Sequence, residues 1–311
     1  MNCWRPPTSW KSGLRDGLQA VLDVLSADRK LDILTGVLDA GFTTVEITSF
    51  AHPKVLPQFA DAERLIAEAP RRGGVRYKAL VPNVRGAQRA CATSIDEIVA
   101  VIPVDPGMAL KNQNATPEKL LADFDDIVVE AHRAGKTVSA AIATAFFSPC
   151  RGAVDVAELD HVVTRVVEAG TDSLYLAGTS GMETPTEFAD GVRRVKGRYP
   201  GMPVGVHLHN RNGHAAVNAL ASLAAGADWL EGSFGGLGGD MWFPGDPSVL
   251  GNAPMEDLVV LFESLGITTG IDLGAFLMVV QKVETYTGIP SYSFVSRGGT
   301  RHELADAQWP A

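Results

Sequence analysis

Two histidines one residue apart close a β-branched run, Val204-Gly205-Val206-His207-Leu208-His209. Alternate side chains of a strand share a face, so with Val204, Val206 and Leu208 turned one way, both imidazoles point the other. Two imidazoles at that spacing form a bidentate seat for a metal ion. The plainer reading of an isolated HxH is one core histidine and one exposed one; the polar run Asn210-Arg211-Asn212 beyond it favours a site. An oxygen donor, Asp16, stands in Arg15-Asp16-Gly17 beside a fixed positive charge, although alone that triplet reads as an exposed turn. In Val45-Glu46-Ile47-Thr48 the alternation turns Glu46 and Thr48 inward together. A buried carboxylate is costly unless paired, so Glu46 requires Arg15 or a similar partner, in a catalytic or a purely structural ion pair. Four glycines in five positions, Gly235-Gly236-Leu237-Gly238-Gly239, precede Asp240 and an irregular stretch to Gly251-Asn252. Such a loop can move over a substrate as a lid; the alternative, a phosphate cradle, lacks the P-loop lysine.

These residues need a scaffold that carries strand ends to one place. Short β-branched runs at 10–15, 43–50, 76–81, 97–104, 137–145, 172–177, 203–209 and 228–234 alternate with stretches of helical period near 27–40, 58–68, 85–93, 117–134, 155–169, 185–198, 212–225 and 255–265. A last helix spans about 272–287. Ser26, Thr116-Pro117 and Thr184-Pro185 open helices with a capping hydroxyl, and Gly41, Gly135, Gly170 and Gly226 close them. Eight β–α pairs are the count for a closed α/β (β/α)8 TIM barrel; its competitor, a doubly wound open sheet, would show GxGxxG after the first strand. The expectation is one domain over 1–311, a barrel of about 10–266 with a C-terminal helical extension and tail at 267–311. Closure sets strand one beside strand eight and strand eight beside strand seven, so Asp16 and the histidine pair can meet on one ion.

The 311 residues are 46% hydrophobic and 20% charged, enough for a large core and against disorder. A net charge of −9 without any block of like charge disfavours nucleic acid and anionic membranes as partners. It permits an anionic small substrate, because a metal or one arginine reverses the local potential. Cys3, Cys91 and Cys150 are far apart and form no CxxC, which points to a reducing compartment. No apolar signal region and no membrane-length apolar run is visible, so a cytoplasmic location is the expectation.

RDGLQ (15–19), VEITSFAHPKVLPQFAD (45–61), VPNVRG (81–86), KNQN (111–114), HLHNRNGHAAVNAL (207–220), GSFGGLGG (232–239) and GNAPMEDLV (251–259) together resemble the hydroxymethylglutaryl-CoA lyases, members of the DRE-TIM metallolyases. The resemblance spans nearly the whole chain, in order. It implies a TIM barrel, a divalent cation (Mg2+ or Mn2+) and retro-Claisen cleavage of a 3-hydroxyacyl-CoA. It further implies Asp16, His207, His209 and Asn252 as metal ligands, Arg15 as the group that meets the thioester enolate, and Glu46 as its support. His207 is the base for the substrate hydroxyl. Gln19, Thr48, Asn83 and Thr179, with Arg15, become substrate-binding residues, and a homodimer is expected.

Departures gather at the site. The family's cysteine after GLGG is Asp240 here, which is either a replacement acid or an ordinary loop aspartate. Its GDT at the end of strand six is Ala177-Gly178-Thr179, so a carboxylate is lost. HxHD becomes HLHN, QNE becomes Gln19-Ala20-Val21, and a serine/glutamate segment becomes Asp105-Pro106-Gly107. Cys150 is a conceivable substitute thiol or an inert buried cysteine. Retained ligands with a lost carboxylate and thiol imply enolate chemistry on a changed acyl group. The alternatives are an aldolase or condensing enzyme on a non-CoA 2-oxo or hydroxy acid, or a non-catalytic metal-binding barrel.

Overall fold

A computed structural model describes residues 9–239 and 251–308. Eight parallel strands close into a barrel: β1 (Ser9–Gly13), β2 (Thr44–Ser49), β3 (Arg76–Val81), β4 (Glu97–Pro103), β5 (Thr137–Ala143), β6 (Ser173–Gly178), β7 (Val204–Leu208) and β8 (Trp229–Gly232). Each pairs with its neighbours in chain order, and β1 closes the ring on β8 through Ser12↔Gly232 and on β2 through Ser12↔Val45. The alternation read from the chain is therefore a TIM barrel. The helices between strands bury one apolar stripe each, as Leu120, Phe124, Ile127 and Val128 show on α6 (Pro117–Arg133).

Local signals account for where elements begin and end. Ser26 caps α2 (Ala27–Asp39), Thr116 caps α6, and Thr184 with Glu187 forms a reciprocal capping box on α8 (Pro185–Arg198). Gly170 and Gly226 follow helix ends at φ +94° and +98°, where a side chain would be strained. Gly205 is required for another reason: a Cβ there would stand 2.0 Å from the indole of Trp229, which fills the lower barrel.

Three expectations shift. The first strand ends at Gly13, and Arg15 and Asp16 lie in a short helix, α1 (Leu14–Gln19), that turns them over the strand ends. Asp105-Pro106-Gly107 opens an unanticipated helix, α5 (Pro106–Gln113), because Asp105 accepts from Met108 N and proline pre-sets the first helical position. A small hairpin, Phe147–Ser148 against Gly152–Ala153, follows β5. The last helix of the expected extension, α11 (Leu273–Thr287), packs Phe276 on Phe42 at 4.7 Å between ring centroids. Its Lys282 and Tyr286 both reach Asp32 of α2. Two short helices, Val295–Gly298 and Arg301–Asp306, follow. No helix among the described residues is long and apolar enough to cross a membrane.

Candidate active site

The carboxyl ends of the strands surround a cavity of about 470 Å³ lined by Arg15, Asp16, Gln19, Asn83, Thr179, His207 and His209, among others. Asp16, His207 and His209 are buried, and one donor atom from each lies within 4.8 Å of the other two. Asp16 Oδ2 is 3.3 Å from His209 Nε2 and 3.7 Å from His207 Nε2. The two Nε2 atoms are 3.3 Å apart. Asn252, paired with His209 by an isolated β-bridge, donates Nδ2 to Asp16 Oδ2 at 2.6 Å. The barrel closure thus brings together all four ligands that the motifs suggested.

Supporting bonds orient the imidazoles. His209 Nδ1 donates to Thr179 O at 2.6 Å, which leaves the Nε2 lone pair facing Asp16 and His207. His207 Nδ1 is 3.4 Å from Glu231 Oε2, an ion-pair distance whose alignment is too poor for a hydrogen bond. Glu231 Oε1 is held by Lys78 Nζ and Trp229 Nε1, each at 3.0 Å. Gly238, at φ +103°, lets the glycine loop touch the site: a Cβ there would be 2.3 Å from Asp16 O and 2.4 Å from Asn252 Nδ2.

Charge follows from this packing. Burial opposes ionisation of Asp16, but the Arg15 guanidinium beside it holds its carboxyl well below the usual carboxylate range. Burial likewise disfavours a charged His207, yet Asp16 and Glu231 carry its imidazole up to about 9. Arg15 bonds Asp16 Oδ1 at 2.6 Å and lies 3.3 Å from Glu46 Oε2, the partner that Glu46 required. The residues fit a divalent cation: buried N and O donors converge, and Asn252 Oδ1 is buried there without a partner.

The other expected residues divide. Gln19 lines the cavity, bonding Arg15, Asp16 Oδ1 and Gly239 O. Asn83 lines it too, while its side chain caps α4 (Val84–Cys91). Thr179 lines it through a hydroxyl that accepts from Thr144 N. Thr48 does not line it. A register irregularity between Glu46 and Thr48 interrupts the alternation, and the Thr48 hydroxyl is sealed in protein without a partner. Cys150 is exposed rather than buried, and is no cavity residue. Asp240 lies outside the described residues.

The space at Gly178 is filled. A Cβ there would stand 2.6 Å from Phe188 Cζ and 3.0 Å from Glu183 Oε2. Glu183 is fully buried; its Oε1 accepts from Ser180 N and Oγ, and its Oε2 has no partner. Burial pushes its carboxyl pKa up, against the hydrogen bonds from Ser180. Sequence reasoning also passed over Glu231, Lys78 and Tyr175. Their signal was parity: each sits inward, one or three residues before its strand's end, and Glu231 and Lys78 put charges inside apolar runs.

A closed parallel barrel that gathers a carboxylate, two imidazoles and an amide at its carboxyl ends is a TIM barrel with a metal-type centre. Residues 8–283 match the HMGL-like family model, and the chain belongs to that family of carbon–carbon lyases. It is 32% identical over 92% of both chains to the (R)-citramalyl-CoA lyase of Chloroflexus aurantiacus. It is 30% identical to a hydroxymethylglutaryl-CoA lyase of Bacillus subtilis, over 89% of this chain and 92% of the relative. A solved hydroxymethylglutaryl-CoA lyase from Acinetobacter baumannii, in complex with coenzyme A and 3-methylmalate, superposes with a TM-score of 0.91 at 28% identity over 98% of each chain. The family and fold read from the motifs are thereby shown.

Proposed function

We propose that the protein cleaves a carboxylate-bearing 3-hydroxyacyl-CoA into acetyl-CoA and an oxo acid with the help of a divalent cation, Mg2+ or Mn2+. The observation that carries this reading is the convergence of Asp16, His207, His209 and Asn252 beside the Arg15–Glu46 pair, at a cavity lined by Arg15, Asp16 and both histidines. Relatives named for hydroxymethylglutaryl-CoA and citramalyl-CoA supply the substrate class.

Asp16, His209 and Asn252 would hold the cation, with His207 beside it and its Nε2 free to take a proton. Bound there, a divalent cation would supply Lewis acidity that lowers the pKa of a substrate hydroxyl held beside it. The carbinol proton passes to His207 Nε2, the donor farthest from Asp16, and Glu231 behind the ring steadies the imidazolium. The freed oxygen pair forms the new C=O as the C2–C3 bond breaks, and that bond's electrons become the thioester enolate. Arg15, fixed by Asp16 and Glu46, meets the enolate oxygen, where charge develops in the transition state. A proton returned to C2 completes acetyl-CoA. The donor is a group at the glycine loop, for which Asp240 is our assignment.

The test incubates purified protein with Mn2+ and either thioester, and follows acetyl-CoA and the oxo acid by mass spectrometry. Cleavage that stops with a chelator and resumes with metal supports the reading. Tight metal binding with neither thioester cleaved overturns it in favour of a non-CoA substrate or a non-catalytic barrel.

A further inference from the structure

Strand register places Val101, Ala141, Tyr175 and Gly205 in one layer across β4 to β7. Beside Tyr175 the layer offers an alanine on one side and a glycine on the other. The space at Gly205 is taken by Trp229, its register partner on β8, which does not line the cavity, whereas Tyr175 does. Ala143 and Ala177, above it on β5 and β6, leave the cavity wide at the level of the histidines. The cavity floor at this layer is therefore the Tyr175 ring beside two smaller aliphatic side chains, Val101 and Ala141.

That ring is held in place. Its centroid is 6.0 Å from that of His207, and Lys78 Nζ lies 5.4 Å from it. Only 2% of the residue is exposed, yet its hydroxyl makes no hydrogen bond to any described residue. A largely buried phenol ordinarily finds a partner. Here the open side is the cavity, so the partner belongs to what the cavity binds.

We propose that Tyr175 determines acyl-chain length. Its ring closes the floor and its hydroxyl donates to the bound acyl group, selecting a carboxylate carried directly on the carbinol carbon over one set a methylene farther away. This rests on the lyase reading and deepens it.

Citramalyl-CoA and hydroxymethylglutaryl-CoA differ by that methylene. The experiment measures kcat/KM for both with the wild type, Tyr175→Phe and Tyr175→Ser, with Mn2+ affinity and thermal unfolding measured alongside. The wild type should favour citramalyl-CoA. Tyr175→Ser should move the ratio toward the longer thioester by about tenfold or more, the scale on which a pocket senses one methylene. Tyr175→Phe should keep the ratio within about threefold while lowering both values by about tenfold, as expected of one lost hydrogen bond. Should Tyr175→Ser not fold, Tyr175→Leu, shorter and apolar, carries the same expectation. A wild type that prefers the longer thioester, or a ratio unmoved in folded Tyr175→Ser or Tyr175→Leu with normal Mn2+ affinity, overturns the role of Tyr175 and leaves the lyase reading intact. A wild type that cleaves neither overturns both.

Discussion

Asp16→Asn keeps the side chain's shape and removes the charge that Arg15, His207, His209 and Asn252 all address. Mn2+ affinity, read by titration of the free-ion EPR signal, should fall by at least about 100-fold, since loss of a mere supporting partner already costs about 10–100-fold. An affinity within a few-fold of wild type would remove Asp16 from the ligand set. Gly178 offers a second residue-scale test. Gly178→Asp restores the family's carboxylate, but its Cβ meets Phe188 and its charge meets Glu183 in a site already buried. Overpacking plus a crowded buried charge predicts a loss of about 3 kcal/mol or more in urea unfolding. Adding Glu183→Gly should recover part of it; a Gly178→Asp single variant as stable as wild type contradicts the described packing. At this scale the convergence of the candidate ligands was legible because HxH and RDG are local patterns whose meaning closure completes. Glu183 was not, because its carboxylate folds back through a turn onto Ser180 and the end of its own strand at Gly178, which no spacing records.

At the scale of elements, β1 and α1 show what the chain discloses and what it withholds. Strand parity in β7 was readable because valine and histidine alternate strictly. The break after Gly13 was not, since Leu14 through Gln19 is too short to show helical period. Thr48 failed for a related reason: the irregularity in β2 changes pairing without changing composition. Helices with hydroxyl caps and proline were placed within a residue or two, whereas α5 was hidden in a segment read as a loop. The docking of α11 on α2 gives this scale its prediction. Phe276 is fully buried against Phe42, so Phe276→Ala should destabilise by about 3–5 kcal/mol and leave Mn2+ affinity unchanged in the folded protein. A loss under about 1 kcal/mol would mean that this helix contributes little to the barrel's stability.

For the molecule as a whole, Glu256 makes stability depend on pH. It is fully buried at the start of α10 (Met255–Ser264), accepting from Gly235 N at 2.9 Å. Burial pushes its carboxyl pKa from 4.5 to about 8. Between those values the folded state carries a proton that the unfolded chain has released, so this group's contribution to stability falls as pH rises across the window. The slope approaches about 1.4 kcal/mol per pH unit at most. Glu256→Gln keeps an oxygen for Gly235 and cannot ionise. Urea midpoints measured from pH 5 to 8 should therefore decline less steeply in the variant, and its advantage should be largest at pH 8. Parallel profiles would show that the carboxyl is not perturbed.

The ligand pairs bridge long stretches of chain: Asp16 lies 193 residues from His209 and 236 from Asn252. During synthesis the first ligand waits on the ribosome until almost the entire barrel has emerged before it meets the others. A cation held by residues from both ends of the chain would be captured only by the finished ring, and it would stabilise that ring by mass action without rescuing any fragment. Metal availability would then act as a clasp on the seam between first and last staves, slowing the opening of the mature enzyme while doing nothing to speed the slow, non-local search that assembles it.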